Sequence, residues 1–119
     1  MRLFSCIGLA AVLGGCNSSF APVDAVTQGP AVRIINSSNA PIYYFVVERQ
    51  SAALINWAPC TDPVACPKVE AHSAATVPFS RIAGYEPGEQ EAILNWWRLV
   101  PAPGNGFQVD SIRSKVVQL

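Results

Sequence analysis

Charge is scarce in this 119-residue chain, and neither sign prevails: eight Lys/Arg stand against eight Asp/Glu, and charged residues make up 13% of the sequence. No basic stripe is present to neutralise a phosphate backbone, so nucleic acid is not expected as a partner. No block of one charge and no internal repeat is found. Histidine is nearly absent. The single His72 has no serine and acid arranged around it in a triad order, and Ser73 and Ser80 are near it only along the chain. Glu86, Glu89 and Glu91 read as a solvated turn face rather than as a glycoside-cleaving pair. No cofactor motif is found, and no enzymatic activity is expected; a small hydrolase built on His72 is the weakest of the functional readings. Long apolar runs are also lacking. Leu3 to Leu13 (LFSCIGLAAVL) has eleven residues, against the roughly 20 that a membrane helix needs, and no later run is long enough.

What that run does have is flanks. Met1 and Arg2 precede it, Gly14 and Gly15 follow it, and then come Cys16 and a polar stretch. A positive start, an apolar segment of this length and small residues at its end make a secretory signal. The tetrad Leu13-Gly14-Gly15-Cys16 resembles the lipobox of bacterial lipoproteins. The resemblance covers about the first 17 residues. It implies cleavage before Cys16, a diacylglycerol on the Cys16 thiol and an acyl group on the new amino terminus, so that the membrane is itself a partner through the anchor. By the same family analogy Asn17, which is not Asp, implies the outer membrane. Cys6 lies inside the run, with too little apolar sequence before it to serve the same role.

Removing residues 1–15 of the 119 leaves 104, one domain in size. With Arg2 gone, seven Lys/Arg and eight Asp/Glu give a formal charge of −1. Residues 16–30 (CNSSFAPVDAVTQGP) are small, polar and proline-broken and read as a flexible tether, about 50 Å long when extended. Residues 31–119 read as the folded domain. Ten prolines and eight glycines in the whole chain cut it into short segments, the pattern of an all-β protein. Ala31–Asn36 and Ile42–Glu48 are expected strands; in the second, Ile42, Tyr44 and Val46 share one face and Tyr43, Phe45 and Val47 the other. Gln50–Trp57 is read as a short strand, and Lys68–Ala71 and Ala74–Phe79 as two more. Glu91–Val100 is contested. Ile93, Trp96, Trp97 and Val100 make a helical stripe, but Gly88 and Pro101 leave little room for a helix, and a strand is preferred. Phe107–Leu119 changes parity near Asp110-Ser111, which suggests a break or bulge. Seven or eight strands fit a small immunoglobulin-like β-sandwich.

Cys60 and Cys66 remain as an even pair in an exported chain, where a disulfide is the expected state. The alternative, a metal held by Cys60, Cys66 and His72, lacks a clear fourth ligand and the usual close cysteine spacing. Two readings of the aromatics stand side by side. In one they fill the core. In the other, one of the adjacent Trp96 and Trp97 is exposed beside Tyr43 and Arg98 and forms a binding surface, since neighbours on a strand point to opposite faces. The function expected is a lipid-anchored protein-binding or structural module of the envelope with a protein partner; the alternative is a carbohydrate- or peptidoglycan-binding module using exposed aromatics.

Overall fold

The computed structural model describes residues 22–119; the expected signal peptide 1–15, Cys6 and Cys16 lie outside the described residues. Among the described residues nine strands follow one another: β1 Val23–Gln28, β2 Ala31–Asn36, β3 Ile42–Glu48, β4 Lys68–Val69, β5 Ser73–Pro78, β6 Glu91–Trp97, β7 Leu99–Pro101, β8 Phe107–Val109 and β9 Arg113–Gln118. They form a three-stranded sheet in the order β1-β2-β5, a four-stranded sheet in the order β4-β3-β6-β9, and a two-stranded β7-β8 extension. All the strand pairings are antiparallel. This is the expected all-β sandwich. The constant-type immunoglobulin arrangement puts its fourth strand with the first, second and fifth; here β4 instead pairs with β3.

Alternation explains the packing. On β2, Val32, Ile34 and Asn36 turn inward, and on β6 Ala92, Leu94 and Trp96 do so. Together with Ile42 and Val46 of β3, Val77 of β5 and Val117 of β9 they form the core between the sheets. Val32, Ile34, Ala92 and Leu94 have no exposed surface, and each branched aliphatic side chain so buried stabilises the fold by about 1.5–3 kcal/mol. The contested segment is a strand through Trp97, and the chain breaks between Val109 and Arg113, at the parity change.

Two expectations are corrected. The tether is shorter than its sequence suggested, because Val23–Gln28 pairs along its whole length with β2, from Val23↔Asn36 to Gln28↔Ala31. Val23 and Ala25 enter the core while the other four positions stay exposed, so only two apolar side chains mark this strand and its composition reads as linker. Gln50–Trp57 is not a strand. It opens with a 3-10 turn at Ser51–Ala53 and continues without regular structure. The Glu48 carboxylate starts that turn by accepting hydrogen bonds from the backbone N–H groups of Gln50 and Ser51, both at 2.9 Å. Gly84 packs against the same turn at φ +76, where a Cβ would come within 2.5 Å of Ser51; only glycine fits there.

Candidate functional site

The aromatic binding surface expected from the sequence is inside the protein. Tyr43, Trp96 and Trp97 are 4%, 8% and 2% exposed; of the four residues only Arg98 is open to solvent. Trp96 and Trp97 do point to opposite faces, but both faces are covered. Trp96 belongs to the core between the sheets. Trp97 lies in a second core with Tyr43 and Cys66, against which Phe45, Trp57, Cys60, Leu99 and Val109 pack. The cover is the irregular segment that follows the 3-10 turn. Its Trp57 ring sits 4.7 Å from Phe45 and 5.8 Å from Trp97, centre to centre. The Cys60 carbonyl accepts a hydrogen bond from Trp97 Nε1 at 3.0 Å. Cys60 and Cys66 are joined in a disulfide with their Cα atoms 5.8 Å apart, which uses both sulfurs and leaves neither for a metal. Closing so small a loop is worth about 2 kcal/mol in the chain-entropy picture. The platform that a sugar ring would stack on is therefore occupied by the protein's own Trp57.

His72 stands in the turn before β5 at φ 55, and its Nε2 lies 3.0 Å from Asn39 Oδ1. The neighbouring Ser73 hydroxyl donates to the Ala71 carbonyl instead of to the imidazole. At the far end of the sandwich, Glu48 and Glu91 are held below the usual carboxylate range. Glu48 is held by the Gln50 N–H, with the Ser51 N–H assisting, and Glu91 by Gln118, with Arg49 assisting. Glu89 moves the other way, pushed up by burial and by the Glu48 charge. A carboxyl whose folded pKa is raised favours the fold below its unfolded value and loses that contribution as pH rises. Glu89→Gln is thus expected to raise the unfolding temperature at pH 7 and to leave it nearly unchanged at pH 4. Glu48, with its lowered pKa, stabilises above about pH 4.5, so Glu48→Gln is expected to lower the pH 7 value. Thermal scans at the two pH values check this; an Glu89→Gln variant less stable than wild type at pH 7 contradicts it.

The most open feature is a sheet edge. Leaving aside the short β7-β8 pair, the two larger sheets among the described residues have four edges, and three are closed. β1 and β9 meet along one side of the sandwich, where Lys115 pairs with Asp24 and the Thr27 hydroxyl donates to the Gln118 carbonyl. β4 has only two residues, and beyond it Ala83 takes over the β3 edge through Glu48 N–H→Ala83 O at 2.8 Å and Ala83 N–H→Val46 O at 3.1 Å. β5 is six residues long, carries no charge and pairs only with β2. Its phase follows from the register. Phe79 N–H donates to the Pro30 carbonyl at 2.8 Å, so Val77, Ala75 and Ser73 also turn their backbone groups to β2, and those of Ala74 and Thr76 point away from the sheet.

Beside this edge lies a cleft of about 190 Å³, bounded by Tyr44, Pro67, Thr76, Pro78 and Arg81. Burial pushes the Tyr44 phenol up, with the Arg81 charge partly offsetting it, so the hydroxyl remains a neutral donor at physiological pH. Arg81 forms no ion pair among the described residues. Ala74, Thr76 and Arg81 do not stand out in the sequence, and Tyr44 reads there only as one of the strand aromatics; an uncharged segment ending in proline is the trace this edge leaves. Comparison with family models, with curated proteins and with solved structures found no match to this chain.

Proposed function

We propose that this chain is a lipid-anchored β-sandwich of the bacterial envelope, held at the outer membrane through Cys16, that binds an extended segment of a partner protein by strand addition to β5. The observation that carries the binding mode is the free β5 edge: six residues without a charge or a covering element, with a proline only at the last position, Pro78. Natural sheets close, shorten or charge their edges because a bare edge recruits another strand, and this protein does so at its other three. An added strand would satisfy the outward N–H and C=O groups of Ala74 and Thr76, each hydrogen bond worth about 1 kcal/mol net, while the cleft beside it receives a side chain. The partner chemistry follows from Arg81, a cation at the rim without a carboxylate: the added strand carries an Asp or Glu next to its paired residues. Stacking of a glycan on Tyr43, Trp96 and Trp97 has no exposed ring to use.

Thr76→Pro isolates this reading. The Thr76 N–H faces outward, so proline removes no ladder bond to β2 and is tolerated on that edge, yet it blocks a strand on the other side. In-cell crosslinking and pull-down of the full-length protein is expected to recover a partner with wild type, and to lose at least tenfold of it with Thr76→Pro or Arg81→Glu while unfolding midpoints stay near wild type. Cys16→Ser is expected to abolish acylation and reduce the same capture. A partner retained by Thr76→Pro overturns strand addition at β5; a normally cut, soluble and unacylated wild-type protein overturns the anchor.

A further inference from the structure

We infer that the pocket at the pole where the chain enters the sandwich binds the phosphate of an anionic phospholipid headgroup, with Arg98 and Arg113 as its cations. The inference rests on the lipid-anchor reading of Cys16. The pocket holds about 190 Å³, and Pro22, Arg98, Asp110, Ser111 and Arg113 line it together with Trp96 and Trp97. Arg98 follows the last residue of β6, and Arg113 opens β9. The β7-β8 hairpin lies between them in sequence and brings them back together. Asp110 N–H donates to the Arg98 carbonyl at 3.0 Å, which holds the hairpin's return against the end of β6. Neither guanidinium forms an ion pair among the described residues. The one carboxylate lining the pocket, Asp110, leaves it a net positive charge, and the Ser111 hydroxyl adds a neutral donor of the kind that hydrogen-bonds phosphate oxygens; the Ser38 hydroxyl is already committed to Asn36 Oδ1.

Position gives the ligand its identity. Pro22 lines the pocket and is six residues from Cys16, a distance that cannot exceed about 20 Å of extended chain. The 50 Å reach allowed by a longer tether is excluded by the β1 pairing. An acylated Cys16 therefore keeps this pole over the headgroups. The other end carries Glu48, Glu86, Glu89 and Glu91 against Arg49, whereas this end sets Arg98 and Arg113 against Asp110 and Glu70, so a negatively charged membrane repels that end more than this one. Orientation follows: the Arg98–Arg113 pole faces the lipid, and the β5 edge runs up the side of the domain, free for a partner.

The test uses the full-length protein purified from membranes, its acylation read by mass, and reconstituted into vesicles of phosphatidylglycerol or of phosphatidylcholine. Backbone hydrogen exchange at residues 37–39 and 110–113 is the readout. Exchange there is expected to be about 25-fold slower in phosphatidylglycerol, and Arg98→Gln and Arg113→Gln are each expected to remove about fivefold of that protection, the share of one basic residue at an anionic surface. Equal exchange in the two vesicles, or arginine variants that behave as wild type, overturns the inference. Inorganic phosphate that gives the same protection in phosphatidylcholine overturns the headgroup assignment in favour of a free-phosphate site. A protein without acyl groups fails the anchor reading alone; its soluble form is then mixed with phosphatidylglycerol vesicles, and arginine-dependent protection there sustains the pocket while its absence removes it.

Discussion

Trp97→Ala is expected to lower the unfolding free energy by about 3–5 kcal/mol, the range for truncating a large aromatic in a packed core. Trp97 is 2% exposed and is the centre of the second core, with Tyr43 and Cys66 against it and Trp57 stacked on it at 5.8 Å. Truncation empties that space, frees Trp57 and leaves the Cys60 carbonyl without the indole N–H that it accepts at 3.0 Å. The same substitution on an exposed binding platform would leave stability within about 0.5 kcal/mol, as surface changes usually do. Chemical denaturation separates the two outcomes. A loss under 1 kcal/mol would show that the 54–67 segment does not cover the outer face of the β4-β3-β6-β9 sheet.

Asn36→Ala is expected to cost about 3 kcal/mol, from buried polar groups left unpaired at about 1–3 kcal/mol each. Asn36 is 1% exposed at the end of β2. Its Nδ2 donates to the carbonyls of Ala40, Val69 and Glu70 at 2.8, 3.1 and 3.2 Å. Its Oδ1 accepts from the Ser38 N–H at 3.0 Å and the Ser38 hydroxyl at 2.6 Å. One amide thus ties the β2-β3 turn to the end of β4, across the two sheets. Asn36→Asp tests the assignment of roles: it keeps the acceptor for Ser38 but turns a carboxylate toward three carbonyl oxygens, so it is expected to be no better than alanine. An Asn36→Asp protein with wild-type stability would contradict this network.

Much of the framework is legible in the residues. The IYYFVVE segment has β-branched and aromatic residues on both faces, and both faces are covered: Ile42 and Val46 by the other sheet, Tyr43 by the disulfide-bearing segment. The parity change near Asp110 marks the break before β9, and the even cysteine pair marks the disulfide. What stays hidden depends on contacts between distant segments. Trp57 meets Phe45 and Trp97 from a stretch with no periodicity of its own, so nothing in local pattern distinguishes a buried Trp97 from an exposed one. β1 hides because its inward positions are only Val23 and Ala25. The openness of β5 is a property of sheet order, which no single segment encodes. The nearness of Arg98 to Arg113 depends on a hairpin between them that returns the chain to its starting point.

The shortened tether ties these elements to the proposed role. If Cys16 is acylated as proposed, the domain is held within about 20 Å of its anchor and meets partners at the membrane surface, and the β5 edge is the surface proposed to receive them. A photoreactive residue at position 74, on that edge, with position 116 on the outer face of β9 as the control, tests this in living cells most directly. The account predicts a specific crosslinked protein from position 74, none from position 116, and loss of the crosslink when Thr76→Pro is added. Crosslinks of equal yield from both positions, or one from position 74 that survives Thr76→Pro, would contradict strand addition as the function of this domain.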